Sequence, residues 1–449
     1  MKDPRHISNT DPLAFNREGG ESTDLRKQTT RRALLQAAGL GAAAMAAHGV
    51  AYGAEKIVDE NGKPIQGFES IEKASAETSK GWEPVSDRKI RVGIVGYGFC
   101  KFGAAFGFQD HPNVEVVAVS DLFPDRRDGL AKATRCKKTY DSLEELVKDD
   151  TIEAVFCATD PPHHAQHCME VLKHGKHVAV NCPAVWGSLE QADQLFEAVT
   201  KASGLQYMMF ETSYYHPGLW PMRQIYQAGG FGKHVYSEGE YYHYHEGPEP
   251  MPSYEGWRDG PPPLWYATHS TAYYIGVTGG RLTHVSCQGK PGTWPFVQPG
   301  VNKFDNTFGT ETALYRTSDG GAFRALCCWQ SPGYEGVKGR FRGELGSFDG
   351  DAGDGKNWGT FAGKVDSTEL IKDLPNLDRP PLPPSVDPGG HGGAEGQLMN
   401  EFVTAILHNR TPMVNVAEAL NMTVAGVVAS ESAKKDGELL KVPQFAMPT

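Results

Sequence analysis

From Lys89 onward the chain alternates short apolar segments with amphipathic ones, and this alternation limits what it can fold into more than any other feature. Ile90-Arg91-Val92-Gly93-Ile94-Val95 reads as a strand, and Gly96-Tyr97-Gly98 as a sharp turn opening a helix over 101–109. Val114 to Ser120 is a second, almost wholly apolar strand. Further strands are expected at 154–158, 177–180 and 206–210, between helices at 142–148, 163–174 and 189–201. Strands apolar on both faces and separated by helices need a parallel sheet covered on each side. The fold class is therefore α/β: a doubly wound parallel sheet over 89–212, followed by a carboxy-terminal α/β domain over 213–449. In the second domain, period-two alternation at 234–244, 307–316, 322–329 and 340–348 implies an open, mostly antiparallel sheet with one wetted face. Helical patterns at 397–407 and 416–434 close the chain. The Pro-rich stretches 246–263 and 379–393 read as long loops of the kind that border a site.

The first turn carries the chemistry. Gly96-Tyr97-Gly98-Phe99-Cys100-Lys101 follows a strand and opens a helix, as a pyrophosphate cradle in a Rossmann domain requires. Gly96 permits the tight turn, and Gly98 lets backbone approach the phosphates. The third expected small residue is replaced by Lys101, with Gly103 two positions late. Asp121, just past the second strand, is placed to accept bonds from an adenosine ribose. The alternative is that the glycines only close a strand–helix turn and Asp121 caps a helix. As a cofactor, NAD is favoured by Asp121, while Arg126 and Arg127 keep NADP open.

The amino terminus is a separate matter. Thr29-Thr30-Arg31-Arg32-Ala33-Leu34-Leu35 precedes an uncharged stretch to Ala47, the pattern of a twin-arginine export signal over 1–54, with cleavage after Ala51 or Ala54. A membrane anchor is the competing reading, though Ala and Gly partition weakly into hydrocarbon. Residues 55–88 read as an extended arm. The expected location is periplasmic or secreted, without membrane contact once the signal is removed. A net charge of −11 with no block of Lys and Arg excludes a nucleic-acid partner, because phosphate neutralisation needs clustered positive charge. The eight cysteines form no C-x-x-C pair and read as buried free thiols.

Together these pieces resemble the Gfo/Idh/MocA family, named for glucose-fructose oxidoreductase and inositol dehydrogenase. The matching residues are Val92 to Gly98, Ala158-Thr159-Asp160-Pro161-Pro162-His163-His164, and Gly175-Lys176-His177-Val178 followed by Pro183. His269, with Gly279 ten residues on, is a looser match. The resemblance implies NAD(P)-dependent oxidation of sugars, cyclitols or related polyols, with a small-molecule carbohydrate as the substrate. It also implies a homo-oligomer, since the open sheet is often an interface in the family. By the same carry-over, Thr159 and Pro161 border the nicotinamide half of the cofactor, with His164 in the same motif and Asn181 nearby. Phe99 belongs to the phosphate turn. Trp257-Arg258 resembles a pair that reaches the cofactor, or else is a lid packed on the surface.

Two motifs depart from the family pattern. Its Glu-Lys-Pro stands here as Asn181-Cys182-Pro183, which removes a fixed positive charge, and Trp265 takes the place of an aspartate four residues before His269. The expected catalytic set is therefore His269 as acid–base, with Cys182 and Tyr266 lining the reacting position and Tyr266 as a partner for His269. No metal is assigned. The histidines His163, His164, His167, His216, His243, His245 and His391 leave open a metal-assisted lyase, epimerase or glycosidase, and the lost lysine leaves open a non-catalytic sugar-binding protein.

Overall fold

The structure is a computed structural model and describes residues 78–244, 252–333, 335–350, 361–363 and 376–448. The segment expected to be an export signal, the expected arm as far as residue 77, and His245 lie outside these residues. Residues 78–88 of the arm form no strand or helix.

The first sheet has six strands, all parallel: β1 (Ile90–Val95), β2 (Val114–Ser120), β3 (Thr139–Tyr140), β4 (Ala154–Cys157), β5 (His177–Asn181) and β6 (Tyr207–Phe210), in the order β3-β2-β1-β4-β5-β6. In β1 every residue but Arg91 is buried, as expected for a strand covered on both faces. Helices α1 (Phe102–Ala105), α2 (Pro124–Thr134), α3 (Leu143–Leu146), α4 (His164–Lys173) and α5 (Leu189–Lys201) make the crossovers. The strand order reverses between β1 and β4, and a crevice opens at that switch point beyond the carboxyl ends of the strands.

The turn after β1 differs from expectation. In place of one helix over 101–109, a four-residue helix is followed by a 3-10 turn at Phe108–Asp110, because Lys101 takes a left-handed φ of 50° and delays the helix start. That delay explains the late third glycine. A Cβ on Gly103 would lie 2.3 Å from the Gly96 carbonyl oxygen, so Gly103 performs the close-packing role that Lys101 could not.

After α6 (Trp220–Gln227), β7 (His234–Tyr242) enters the second sheet. A helix α7 (Thr268–Thr278) then precedes β8 (Leu282–Pro291), β9 (Phe308–Thr317), β10 (Ala322–Cys328), β11 (Gly336–Gly343), β12 (Gly346–Gly350) and β13 (Phe361–Gly363). Helices α8 (Gly390–Leu407) and α9 (Val416–Lys434) and the short β14 (Leu440–Lys441) complete the chain. The order is β13-β12-β11-β7-β10-β9-β8-β14, antiparallel throughout except for β7 against β10. The single segment expected at 340–348 is instead a hairpin, β11 turning into β12, and α8 begins seven residues before its expected start. Helix α7 has no apolar stripe because Thr268 to Val277 are all buried, and so it carries no periodic signal. It lies on β7 closely enough that a Cβ on Gly239 would sit 2.0 Å from the Ser270 carbonyl oxygen. The opposite face of the sheet is polar, with Arg324 bonded to Glu238 at 2.7 and 2.9 Å and Arg342 to Asp349 at 2.7 Å.

Glu311 on β9 is buried beneath the segment that leads into α7. One carboxylate oxygen accepts from the Leu264 amide (2.7 Å) and the Ser430 hydroxyl (2.9 Å), and the other has no partner among the described residues. Burial pushes its pKa up from 4.5 to about 7. The folded state therefore binds more protons than the unfolded one between these values, and stability falls as pH rises through that window. Glu311→Gln is expected to flatten the fall and to raise the denaturation midpoint above neutrality. Parallel pH-dependence of wild type and variant in urea melts would contradict this.

Candidate active site

The crevice at the switch point is a trough of about 560 Å³. Gly98 and Phe99 form its lip, Thr159, Pro161 and His164 its floor, and Trp257 and Arg258 its far wall. Gly96 lies beneath, at φ 102°, where a Cβ would be 2.3 Å from the Ala158 carbonyl oxygen. Nothing lies within 4 Å of a Cβ position on Gly98, so a ligand can reach this backbone. Asn181 ends β5 with its Oδ1 buried and without a partner among the described residues, an acceptor at the trough wall for a ligand's donor. These features fit a dinucleotide.

Asp121 and His164 behave differently from expectation. The Asp121 carboxylate already accepts the Tyr97 amide (2.7 Å) and the Phe123 amide (2.9 Å), and so it shapes the phosphate turn as well as offering lone pairs to a ribose. Arg127 is tied to Asp141 at 2.6 Å, whereas Arg126 lines the trough. The His164 ring nitrogens face the carbonyl oxygens of Pro183 (2.7 Å) and Thr159 (2.8 Å), so this buried ring pins two loops together and has no nitrogen left for a cofactor. Trp257 is buried, with the Arg258 guanidinium stacked 4.2 Å from its ring centre, so the pair is a wall of the site rather than a surface lid.

The trough opens into a second cavity of about 750 Å³. The two share Cys100, Phe102, Asn181, Cys182, Trp257, Arg258 and Tyr266. His269, in the first turn of α7, faces this cavity. Its Nδ1 lies 2.6 Å from Oε1 of Glu211, the residue that follows β6, and its Nε2 lies 3.9 Å from Cys182 Sγ. Burial alone would raise the Glu211 carboxyl, but the imidazole beside it and the bond from the Ser213 amide hold it below the ordinary value. The carboxylate therefore fixes the proton on Nδ1 and leaves Nε2 a lone pair directed at the cavity.

The partner of His269 is thus Glu211, not Tyr266. The Tyr266 hydroxyl donates instead to the Cys182 carbonyl oxygen at 3.3 Å, although its ring still lines the cavity. Trp265 turns away, packing 5.6 Å from Trp186 and 5.5 Å from Phe304 between ring centres. The carboxylate lost at that position is supplied from the end of β6. Glu211 could have been found by its place at the carboxyl end of a parallel strand, where ligands gather in open α/β sheets. Burial, and then the Glu211 charge, push the Cys182 thiol well above its ordinary value, so it lines the site as a neutral S–H. Cys182, Glu211 and His269 lie within 4.8 Å of one another, close enough to meet around a cation. The bonded order carboxylate–imidazole–thiol and the protonated sulfur favour a proton path over a ligand set. Of the histidines weighed for metal, His243 pairs with Glu335 at 3.5 Å.

Glu211→Gln is expected to lower turnover by roughly two to four orders of magnitude while leaving nucleotide content unchanged, because it removes the anion that orients His269. In the folded protein Cys182 is expected to alkylate with iodoacetamide far more slowly than a denatured thiol. Rapid labelling at neutral pH, read by peptide mapping, would mean a thiolate instead.

Comparisons with known proteins bear on the same region. The Gfo/Idh/MocA model, described as an oxidoreductase family with an NAD-binding Rossmann fold, matches residues 90–210. Glycosyl hydrolase family 109 protein 1 of Bacteroides fragilis is 28% identical over 169 residues, 34% of this chain and 35% of its own, so the match spans about a third of that relative. A glycosyl hydrolase family 109 protein of Saccharopolyspora erythraea is 22% identical over 94% of both chains. The fold is shared with scyllo-inositol dehydrogenase of Lactobacillus casei, solved with NAD(H) and scyllo-inositol, at TM-score 0.60 and 17% identity over 79% of this chain and 99% of that one. Parallel sheet, glycine turn and matching model agree: the Rossmann domain of this chain belongs to the Gfo/Idh/MocA family of NAD-binding oxidoreductases.

Proposed function

We propose that the chain is an NAD-dependent oxidoreductase that removes hydrogen from a CH–OH group of a sugar, polyol or related carbohydrate. The observation that carries this reading is the position of His269 Nε2, a base fixed by a buried carboxylate in the wall of the second cavity and 3.9 Å from Cys182, which lines both that cavity and the dinucleotide trough. A substrate hydroxyl in that cavity donates its proton to Nε2, and Glu211 stabilises the resulting imidazolium at Nδ1. Tyr241, whose ring centre is 4.7 Å from that of His269, and Tyr266 offer faces for a sugar ring and exclude water. Cys182 in place of a lysine offers no fixed cation at that position, and proton removal rests on the Glu211–His269 pair. Gly98, Thr159, Pro161 and Asn181 would hold the cofactor, whose nicotinamide, when bound, accepts the hydride from the carbinol carbon. Asp121 and the engagement of Arg127 with Asp141 favour NAD over NADP.

A second reading is a glycosidase that uses the same oxidation transiently. It is favoured by the names of the curated relatives, including one that aligns over nearly the whole chain. In both readings the paired arginines at Arg31 and Arg32 support export from the cytoplasm, and the polar outer face of the second sheet is the surface offered for self-association.

Protein purified from its export host is expected to release stoichiometric NAD(H) on denaturation and to keep its activity after dialysis against EDTA. A dehydrogenase accumulates reduced nicotinamide with sugar, whereas a glycosidase cleaves aryl glycosides with no net change in the nicotinamide absorbance. A protein that contains no nucleotide and binds none when it is added would contradict both.

A further inference from the structure

Three donors of different chemistry meet at the back of the second cavity. One ligand atom from each of Cys182, Glu211 and His269 lies within 4.8 Å of the other two, and all three residues are buried. Cys182 and His269 line the cavity, whereas Glu211 has no exposure and does not. The hydrogen bonds of Glu211 fall on one oxygen: Oε1 meets His269 Nδ1 at 2.6 Å and accepts the Ser213 amide at 2.9 Å. Oε2 is buried and without a partner among the described residues. A carboxylate oxygen left unsatisfied at that depth is costly, and proton transfer through His269 makes no use of it.

The spacing suits a small, thiophilic dication. Cys182 Sγ and His269 Nε2 are 3.9 Å apart. Zinc bonds sulfur at about 2.3 Å and imidazole nitrogen at about 2.0–2.1 Å, so one ion can touch both atoms at an angle of about 125–130°, and a closure of roughly a few tenths of an ångström makes that angle tetrahedral. Charge favours the same ion. Binding breaks the Cys182 S–H bond and forms a sulfur–metal bond, with the proton released to solvent. Thiolate and carboxylate then cancel the two positive charges, so the filled cluster is neutral in its buried setting. Magnesium and calcium need shells rich in oxygen and are poorly served by one carboxylate. A lysine at position 182 would put its own cation here, so the replacement that removes the family's fixed charge is also what creates the donor set.

We propose that Cys182 Sγ, His269 Nε2 and Glu211 Oε2 form a binding site for a thiophilic divalent cation of the zinc class, with a fourth position open to the cavity. The bound ion silences the enzyme, because it occupies the lone pair with which His269 would take the hydroxyl proton. It is an inhibitor and not a cofactor: without it the sulfur keeps its proton and Nε2 serves as the base, in agreement with the activity expected after EDTA dialysis. The binding claim stands on the three donors alone, while the loss of turnover rests also on the reading of His269 as the base.

The test uses the full chain with its nucleotide bound, stripped with EDTA and then dialysed against zinc or cobalt(II). Wild type is expected to take up one ion per chain that Cys182→Ser does not hold. The variant's affinity should be lower by at least about a hundredfold, since loss of an outer-shell partner alone costs about 10–100-fold. Bound cobalt(II) should show the near-ultraviolet charge-transfer absorption of a thiolate ligand. That band should vanish in Cys182→Ser and persist in Cys100→Ser, which alters the other thiol of the cavity wall. Reduction of the bound nicotinamide by sugar should fall in step with zinc occupancy and return when EDTA is added. Equal uptake by wild type and Cys182→Ser, or cobalt bound without the thiolate band, would overturn the site. Zinc held with the thiolate band present and turnover unchanged would overturn instead the role of His269 as base, and the inhibition with it. Should Cys182→Ser lose its nucleotide, His269→Ala, which removes another of the three ligands, is measured in its place by the same uptake criterion.

Discussion

The bond between Glu211 and His269 is the interaction on which the functional arrangement depends. It joins the two halves of the molecule at their chemically active edge, a strand end of the parallel sheet on one side and the first turn of a buried helix on the other. A carboxylate with no exposure would be costly if left alone, and the 2.6 Å contact, with the Ser213 amide, is what makes its charge tolerable there. In return the carboxylate settles which imidazole nitrogen carries the proton, a choice on which any role of His269 as a base rests.

The surrounding construction serves the same end. Helix α7 can bring His269 to the sheet edge only because Gly239 lets it settle on β7, and the carboxyl end of β5 places Asn181 and Cys182 where trough and cavity meet. Loss of the lysine and aspartate expected by resemblance to the family does not empty the site. A thiol fills the first position without charge, an aromatic cluster absorbs the second, and a carboxylate arrives from β6. An imidazole–carboxylate pair built from different positions meets the same chemical requirement.

Much of this was legible in the residues alone, and the reason lies in periodicity. Five of the six parallel strands are short and largely apolar, so nearly all their boundaries follow from pattern, whereas the two-residue, partly exposed β3 has no such pattern and was missed, and α9 begins and ends where its pattern does. The turn after β1 was legible as a phosphate cradle, but the left-handed Lys101 that displaces its third glycine has no compositional mark. Helix α7 was missed because a helix buried all round has no polar face to set a phase. His269, Cys182 and Tyr266 do converge on one cavity, whereas the Glu211 partnership spans 58 residues of chain and becomes visible only when β6 and α7 are placed side by side. The helical start at Gly390 escaped for a related reason, since glycines at positive φ read as loop.

The central claim is that His269, oriented by Glu211, takes the hydroxyl proton from a carbohydrate held beside bound NAD. It is tested most directly by single-turnover absorbance. Sugars are mixed rapidly with the NAD-loaded protein, and the appearance of reduced nicotinamide is followed for wild type and for His269→Ala at equal nucleotide occupancy. The account predicts a fast phase in wild type that is slowed at least about a hundredfold in the variant. Equal rates in the two proteins would contradict it.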